Sequence, residues 1–93
     1  MEQELKNYME VCVDSSIEAV LKDLNCCACV NCIYDIKAIA LNSLPPKYVV
    51  TRKGQLYTKI YSLQQQFDVD IITAITKAAV IVSGNPRHGE NGN

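Results

Sequence analysis

Four of the five cysteines fall within seven consecutive residues, Cys26-Cys27-Ala28-Cys29-Val30-Asn31-Cys32. No regular element needs thiols at that density, so the stretch is a knuckle that separates whatever precedes it from whatever follows. Cys27, Cys29 and Cys32 can converge on a single ion about 2.3 Å from each sulfur. A metal is a strong constraint on a chain of 93 residues, because a domain this small buries only ~60–65% of its unfolded surface and its core needs reinforcement. In a reducing compartment, clustered thiols serve as metal ligands or redox groups more often than as structural disulfides.

The segments on either side read as helices. Leu5, Tyr8, Met9, Cys12, Val13, Ile17, Val20, Leu21 and Leu24 keep helical spacing with charges opposite, which predicts one long amphipathic helix from Leu5 to Leu24 that stops at Asn25. Ile33, Ile36, Ala40 and Leu44 define a second helix, closed by Pro45-Pro46. Lys47 to Thr51 reads as an extended segment, with a turn at Arg52-Lys53-Gly54. Beyond it, Leu56, Ile60, Leu63, Phe67, Ile71, Ile75, Ala78 and Val82 advance by three or four, predicting one long helix or two collinear ones jointed near Phe67 with Asp68 as N-cap. Val80 and Ile81 lie off that stripe, so the end of this helix is expected to be covered on two sides.

With no Trp, one Phe and four Gly, a β-sandwich is disfavoured. The expectation is an all-α bundle of three to four helices, dimeric, with a single domain over residues 1–83 and a flexible tail over 84–93. The longest purely apolar run is Ala78 to Val82, far short of a membrane span, so the chain is read as soluble and cytoplasmic.

The net charge of −1 conceals an asymmetry. Residues 1–25 hold Glu2, Glu4, Glu10, Asp14, Glu18 and Asp23 against Lys6 and Lys22, a balance of −4. From Ile36 to Phe67 there are no acids, and Lys37, Lys47, Arg52, Lys53 and Lys59 contribute +5. That segment should attract anions or face the acidic helix.

A tetrahedral zinc requires a fourth ligand. His88 in the tail is the expected one, which would pin the C-terminus to the knuckle, with Cys26 as the alternative. The only acids near such a site are Asp35 and Glu90, so the zinc is read as structural, not catalytic. No Ser/His/Asp set, paired carboxylates or Gly-rich phosphate loop argues for an enzyme.

The cysteine motif leading into Asp35-Ile36-Lys37-Ala38-Ile39-Ala40-Leu41-Asn42-Ser43-Leu44-Pro45-Pro46-Lys47-Tyr48-Val49 resembles the late competence protein ComFB family of bacteria, from about Cys27 to Arg87. The resemblance implies a small helical dimer with zinc held by the cysteines and a C-terminal ligand. Where the family pattern has a cysteine for that last ligand, only His88 stands here. It also implies a link to competence and, through related proteins, cyclic di-GMP binding around the Pro-Pro segment. A cyclic dinucleotide needs cations for two phosphates, flat surfaces for two guanines and polar groups for their edges. Lys47, Arg52 and Lys53 fit the first need, Tyr48 and Arg52 the second, and Asp35 and Asn42 the third, with Thr51 in the same segment. The competing reading is a competence-associated scaffold or DNA-binding module, although a chain of pI about 5.7 is acidic for DNA binding. The protein effector is not legible in the sequence.

Overall fold

The computed structural model describes residues 3–52 and 64–85, without the side chains of Thr51 and Arg52. The expectations for Lys53, for the turn at Gly54, for Leu56, Ile60 and Leu63, and for His88 and Glu90 lie outside these residues.

In chain order the elements are strand β1 (Gln3–Asn7), helix α1 (Tyr8–Leu24), helix α2 (Val30–Ser43), strand β2 (Tyr48–Arg52) and helix α3 (Asp68–Gly84), with residues 64–66 helical just before α3. The mostly helical expectation holds, but the all-α one does not: β1 and β2 pair antiparallel, with Leu5 opposite Val50 and Asn7 opposite Tyr48. The Lys47 to Thr51 segment was extended on its own β-branched residues. It recruits the first residues of the chain, and the first helix therefore starts at Tyr8, not Leu5. Leu5, whose spacing suited the helix, is 68% exposed on the strand.

Asn7 makes this joint. Its side-chain carbonyl accepts from the Met9 amide at 3.1 Å, capping α1, and from the Lys47 amide at 2.8 Å. The Tyr8 amide in turn donates to the Lys47 carbonyl at 2.8 Å. Three backbone amides and one carbonyl left over at the meeting of a helix start and a strand are thereby satisfied.

The core is the predicted helical stripes. Met9, Cys12, Val13, Ile17 and Leu21 of α1 pack with Cys32, Ile36, Ala40 and Leu44 from α2 and Ile71, Ala74, Ile75, Ala78, Ala79 and Val82 from α3. α3 packs most extensively on α2 and next on α1. Small residues at Ala40, Ala74, Ala78 and Ala79 let the backbones approach closely, and each large aliphatic side chain buried here stabilises by about 1.5–3 kcal/mol. α3 is preceded by Phe67, not Asp68, at the capping position. Asp68 and Asp70 lie in its first turn, where the helix dipole favours them. Its far side departs from expectation. Val80 and Ile81 are exposed, so within one chain only one side of this helix end is covered. No helix among the described residues is long and apolar enough to cross a membrane.

Candidate metal centre

The route into the knuckle is set by the end of α1. Asn25 adopts the left-handed conformation, φ 56° and ψ 41°, which asparagine tolerates better than most residues. Its amide donates to the Lys22 carbonyl at 3.1 Å and the Cys26 amide to the Leu21 carbonyl at 2.9 Å, the paired bonds of a Schellman ending. The chain is thus reversed at the point where the cysteines begin. α2 opens with Cys29 in the capping position, its carbonyl accepting the Ile33 amide at 2.9 Å, and with Cys32 on the first turn.

This geometry gathers Cys27, Cys29 and Cys32, whose sulfurs all lie within 4.8 Å of one another. Sulfurs around a tetrahedral zinc stand about 3.8 Å apart, so the set closes on an ion with small rotations. Three soft thiolates are the donor set zinc prefers. The three differ in environment: Cys27 is exposed, Cys29 half-buried and Cys32 2% exposed. The Cys29 thiol is held below its ordinary value, chiefly by the Cys32 backbone amide. The Cys32 thiol is pushed up to about 12, first by burial and then by its sulfur neighbours. In the metal-free chain at neutral pH a proton is therefore held on Cys32, which a metal would displace.

Cys26 is not part of the group. Its thiol donates to the Leu24 carbonyl and accepts from the Ser83 hydroxyl, both at 3.8 Å. The second contact carries information that sequence reading missed: it brings the last turn of α3, and hence the start of the C-terminal tail, to the knuckle. No local pattern signals a pair 57 positions apart.

The nucleotide-site residues fall in two places. Asn42 and Tyr48 are exposed on either side of the Pro45-Pro46 corner, and both prolines are exposed between them. Lys47 places its ammonium 4.9 Å from the centre of the Phe67 ring. Arg52 and Thr51 continue along β2. Asp35 stands two helical turns before Asn42, about 10 Å along α2. It lines a different surface, a groove with Ala38, Ile39, Ile81 and Asn85. Tyr48 lines a cleft that also contains Leu5, Glu10, Val11 and Asp14.

Lys37, one of the five cations of the acid-free segment, is paired with Asp14 at 2.5 Å and lies 5.3 Å from the centre of the Tyr34 ring. The Asp14 carboxylate accepts its hydrogen bond and raises its pKa, against the opposing effect of burial. Part of the basic segment thus answers the acidic helix inside the fold.

Three likenesses to known proteins accompany this geometry. The family model described as late competence development protein ComFB matches residues 6–86. The competence protein ComFB of Bacillus subtilis (strain 168) is 28% identical over 83 residues, 88% of this chain and 85% of that one. The solved structure of the late competence protein ComFB from Bacillus subtilis superposes with a TM-score of 0.72 at 27% identity, covering 89% of this chain and 92% of the other.

Proposed function

The chain belongs to the late competence development protein ComFB family, and from that premise we propose that it is a non-enzymatic, zinc-containing regulatory protein that works as a homodimer and receives cyclic di-GMP. The observation that carries this reading is the convergence of Cys27, Cys29 and Cys32 within 4.8 Å. His88 completes the set. It stands three residues beyond Asn85, a reach of at most ~11 Å, and the Ser83–Cys26 contact starts that reach at the knuckle. With four protein ligands the ion has no open position, and its role is to tie the end of α1, the start of α2 and the tail together. Zinc content measured on protein purified without added metal should approach one equivalent per chain. Less than about half an equivalent, with the thiols freely titratable, would overturn this part.

The dimer is supported by the outer side of α3. Val69 is 75% and Val80 69% exposed, and Ile72 and Ile81 join them. Large apolar side chains left exposed on one helix mark a face that a partner covers, and a second copy is the simplest cover. Light scattering should report about twice 10.3 kDa.

The ligand reading is supported by the corner between α2 and β2. Tyr48 offers an exposed ring for a guanine and Asn42 an amide for its edge. Lys47, Arg52 and Lys53 are the cations for phosphate. Titration calorimetry with cyclic di-GMP, cyclic di-AMP and a short DNA duplex tests it. Arg52→Ala should weaken cyclic di-GMP binding about ten- to a hundredfold, since a charge-assisted contact contributes roughly 1.5–3 kcal/mol. Lys77→Ala on α3 should change it little. No heat with either cyclic dinucleotide would overturn the receptor reading. Duplex binding that weakens steeply with salt would favour a DNA-binding module instead.

A further inference from the structure

Cys29 and Cys32 stand one turn apart at the head of α2, the first in the capping position and the second as the third helical residue. Residues so spaced in a helical turn have Cα atoms about 5–5.5 Å apart, within the ~4.4–6.8 Å that a disulfide accepts. Their sulfurs already lie within 4.8 Å, so side-chain rotation alone brings them to bonding distance. The other thiols are placed differently. Cys12 is buried in the α1 stripe, and the Cys26 sulfur is occupied by the Leu24 carbonyl and the Ser83 hydroxyl. Cys27 is exposed and precedes α2, while Cys29 is half-buried at its cap and Cys32 is 2% exposed in its first turn.

We propose that Cys29 and Cys32 form a redox modification site whose reactant is a low-molecular-weight disulfide. The Cys29 thiolate attacks one sulfur of the reactant, whose S–S bond breaks, giving a mixed disulfide at Cys29 and one free small thiolate. The Cys32 thiol then gives up its proton, which the departing small thiolate takes, and its sulfur attacks the Cys29 sulfur, forming the Cys29–Cys32 bond and expelling the second small thiol. Two electrons pass from the two protein sulfurs to the reactant, which leaves as two thiols. The order follows from access, since Cys29 is half-buried where Cys32 is 2% exposed; the Cys27 sulfur also lies within 4.8 Å of Cys32, and it is the one-turn spacing that selects Cys29 as the bonding partner.

The consequence for the metal rests on the zinc reading above; the bond itself does not. Oxidation removes two of three thiolate ligands and releases zinc, and with it the tie to the tail. The new bond cannot replace that tie, because it closes only the first turn of α2.

The experiment treats the purified protein with excess oxidised glutathione and follows zinc with a chromogenic chelator. Free thiols are then alkylated in acid-quenched, denatured protein, disulfides reduced, and the released thiols alkylated with a reagent of different mass. Tandem mass spectrometry separates Cys26, Cys27, Cys29 and Cys32, which share one tryptic peptide from Asp23 to Lys37. The second label is expected on Cys29 and Cys32, with no glutathione retained and one zinc released. Cys32→Ser should stall with glutathione held at Cys29, and Cys27→Ser should still form the bond. A second label on any other pair, glutathione retained on the unmodified sequence, or no reaction overturns the assignment. If the bond forms in protein that carries no zinc, the metal reading falls and the redox site stands.

Discussion

The Lys47 backbone amide donates to the Asn7 side-chain carbonyl at 2.8 Å across forty positions of sequence. The same oxygen caps α1 through the Met9 amide, so one side chain closes the helix start and fixes where the strand leaves the Pro45-Pro46 corner. The corner that carries the proposed ligand residues is thus held from the opposite end of the chain.

Asn7→Ala removes both hydrogen bonds at once. A lost cap costs about 1 kcal/mol and a stranded, partly buried amide about 1 kcal/mol or more. Urea unfolding should show a loss of roughly 2 kcal/mol, with Asn7→Asp retaining most of it. A loss no greater than that of an exposed alanine substitution such as Lys6→Ala would contradict the double role.

Asn25 tests the turn that presents the thiols. At φ 56° glycine meets no steric penalty, whereas a β-branched residue does. Asn25→Gly should leave stability within about 0.5 kcal/mol, while Asn25→Val should cost about 1–2 kcal/mol and weaken zinc binding. Equal zinc affinity in the two variants would show that the Schellman ending does not position the cysteines.

Zinc uptake should release protons. The three thiols must ionise, and Cys32, pushed up to about 12, holds its proton most strongly. Loading the apo protein in weak buffer near pH 7 should release about two to three protons per ion, and affinity should fall as pH falls. In the apo protein the sign reverses at the alkaline end. Cys32 has a folded value above its ordinary 9.0, so its contribution is intact below about pH 9 and is lost as pH rises toward the folded value. Cys32→Ala should flatten that alkaline decline in urea midpoints; an unchanged decline would refute the assignment.

The Lys37–Asp14 pair is half in water, so a double-mutant cycle should measure about 0.5 kcal/mol. Because the pairing raises the Lys37 pKa, the coupling is present below the unfolded value near 10.4 and disappears as pH rises above the folded one. A coupling that persists undiminished beyond pH 12 would not be an ion pair.

Ala78 is fully buried where α3 meets its neighbours. Ala78→Leu adds three carbons to a space with no room for them and should destabilise by about 1–3 kcal/mol. Val80→Leu on the outer side should not destabilise the chain, but should alter the dimer measured by light scattering.

Much of this architecture was legible in the chain. The stripe from Tyr8 to Leu21, the stop at Asn25, the break at Pro45-Pro46 and the Ile71 to Val82 stripe all depend on residues within a turn or two of each other. The cysteine spacing is equally local, and so is the grouping of its three sulfurs. Leu5 shows where that reading ends. Its spacing extends the first helix, and only pairing with Val50, 45 positions away, makes it part of a strand. Lys37 shows the same for electrostatics: the charge count left its segment either attracting anions or facing the acidic helix, and only the fold pairs it with Asp14. The contact of Ser83 with Cys26 and the double use of Asn7 are likewise products of packing. Periodicity and spacing record what each segment needs to bury or bind. Which segment meets that need is decided by how α1, α2 and α3 share one core and how β1 finds β2, and that choice is a free-energy balance over the whole chain, invisible to any window of a few residues.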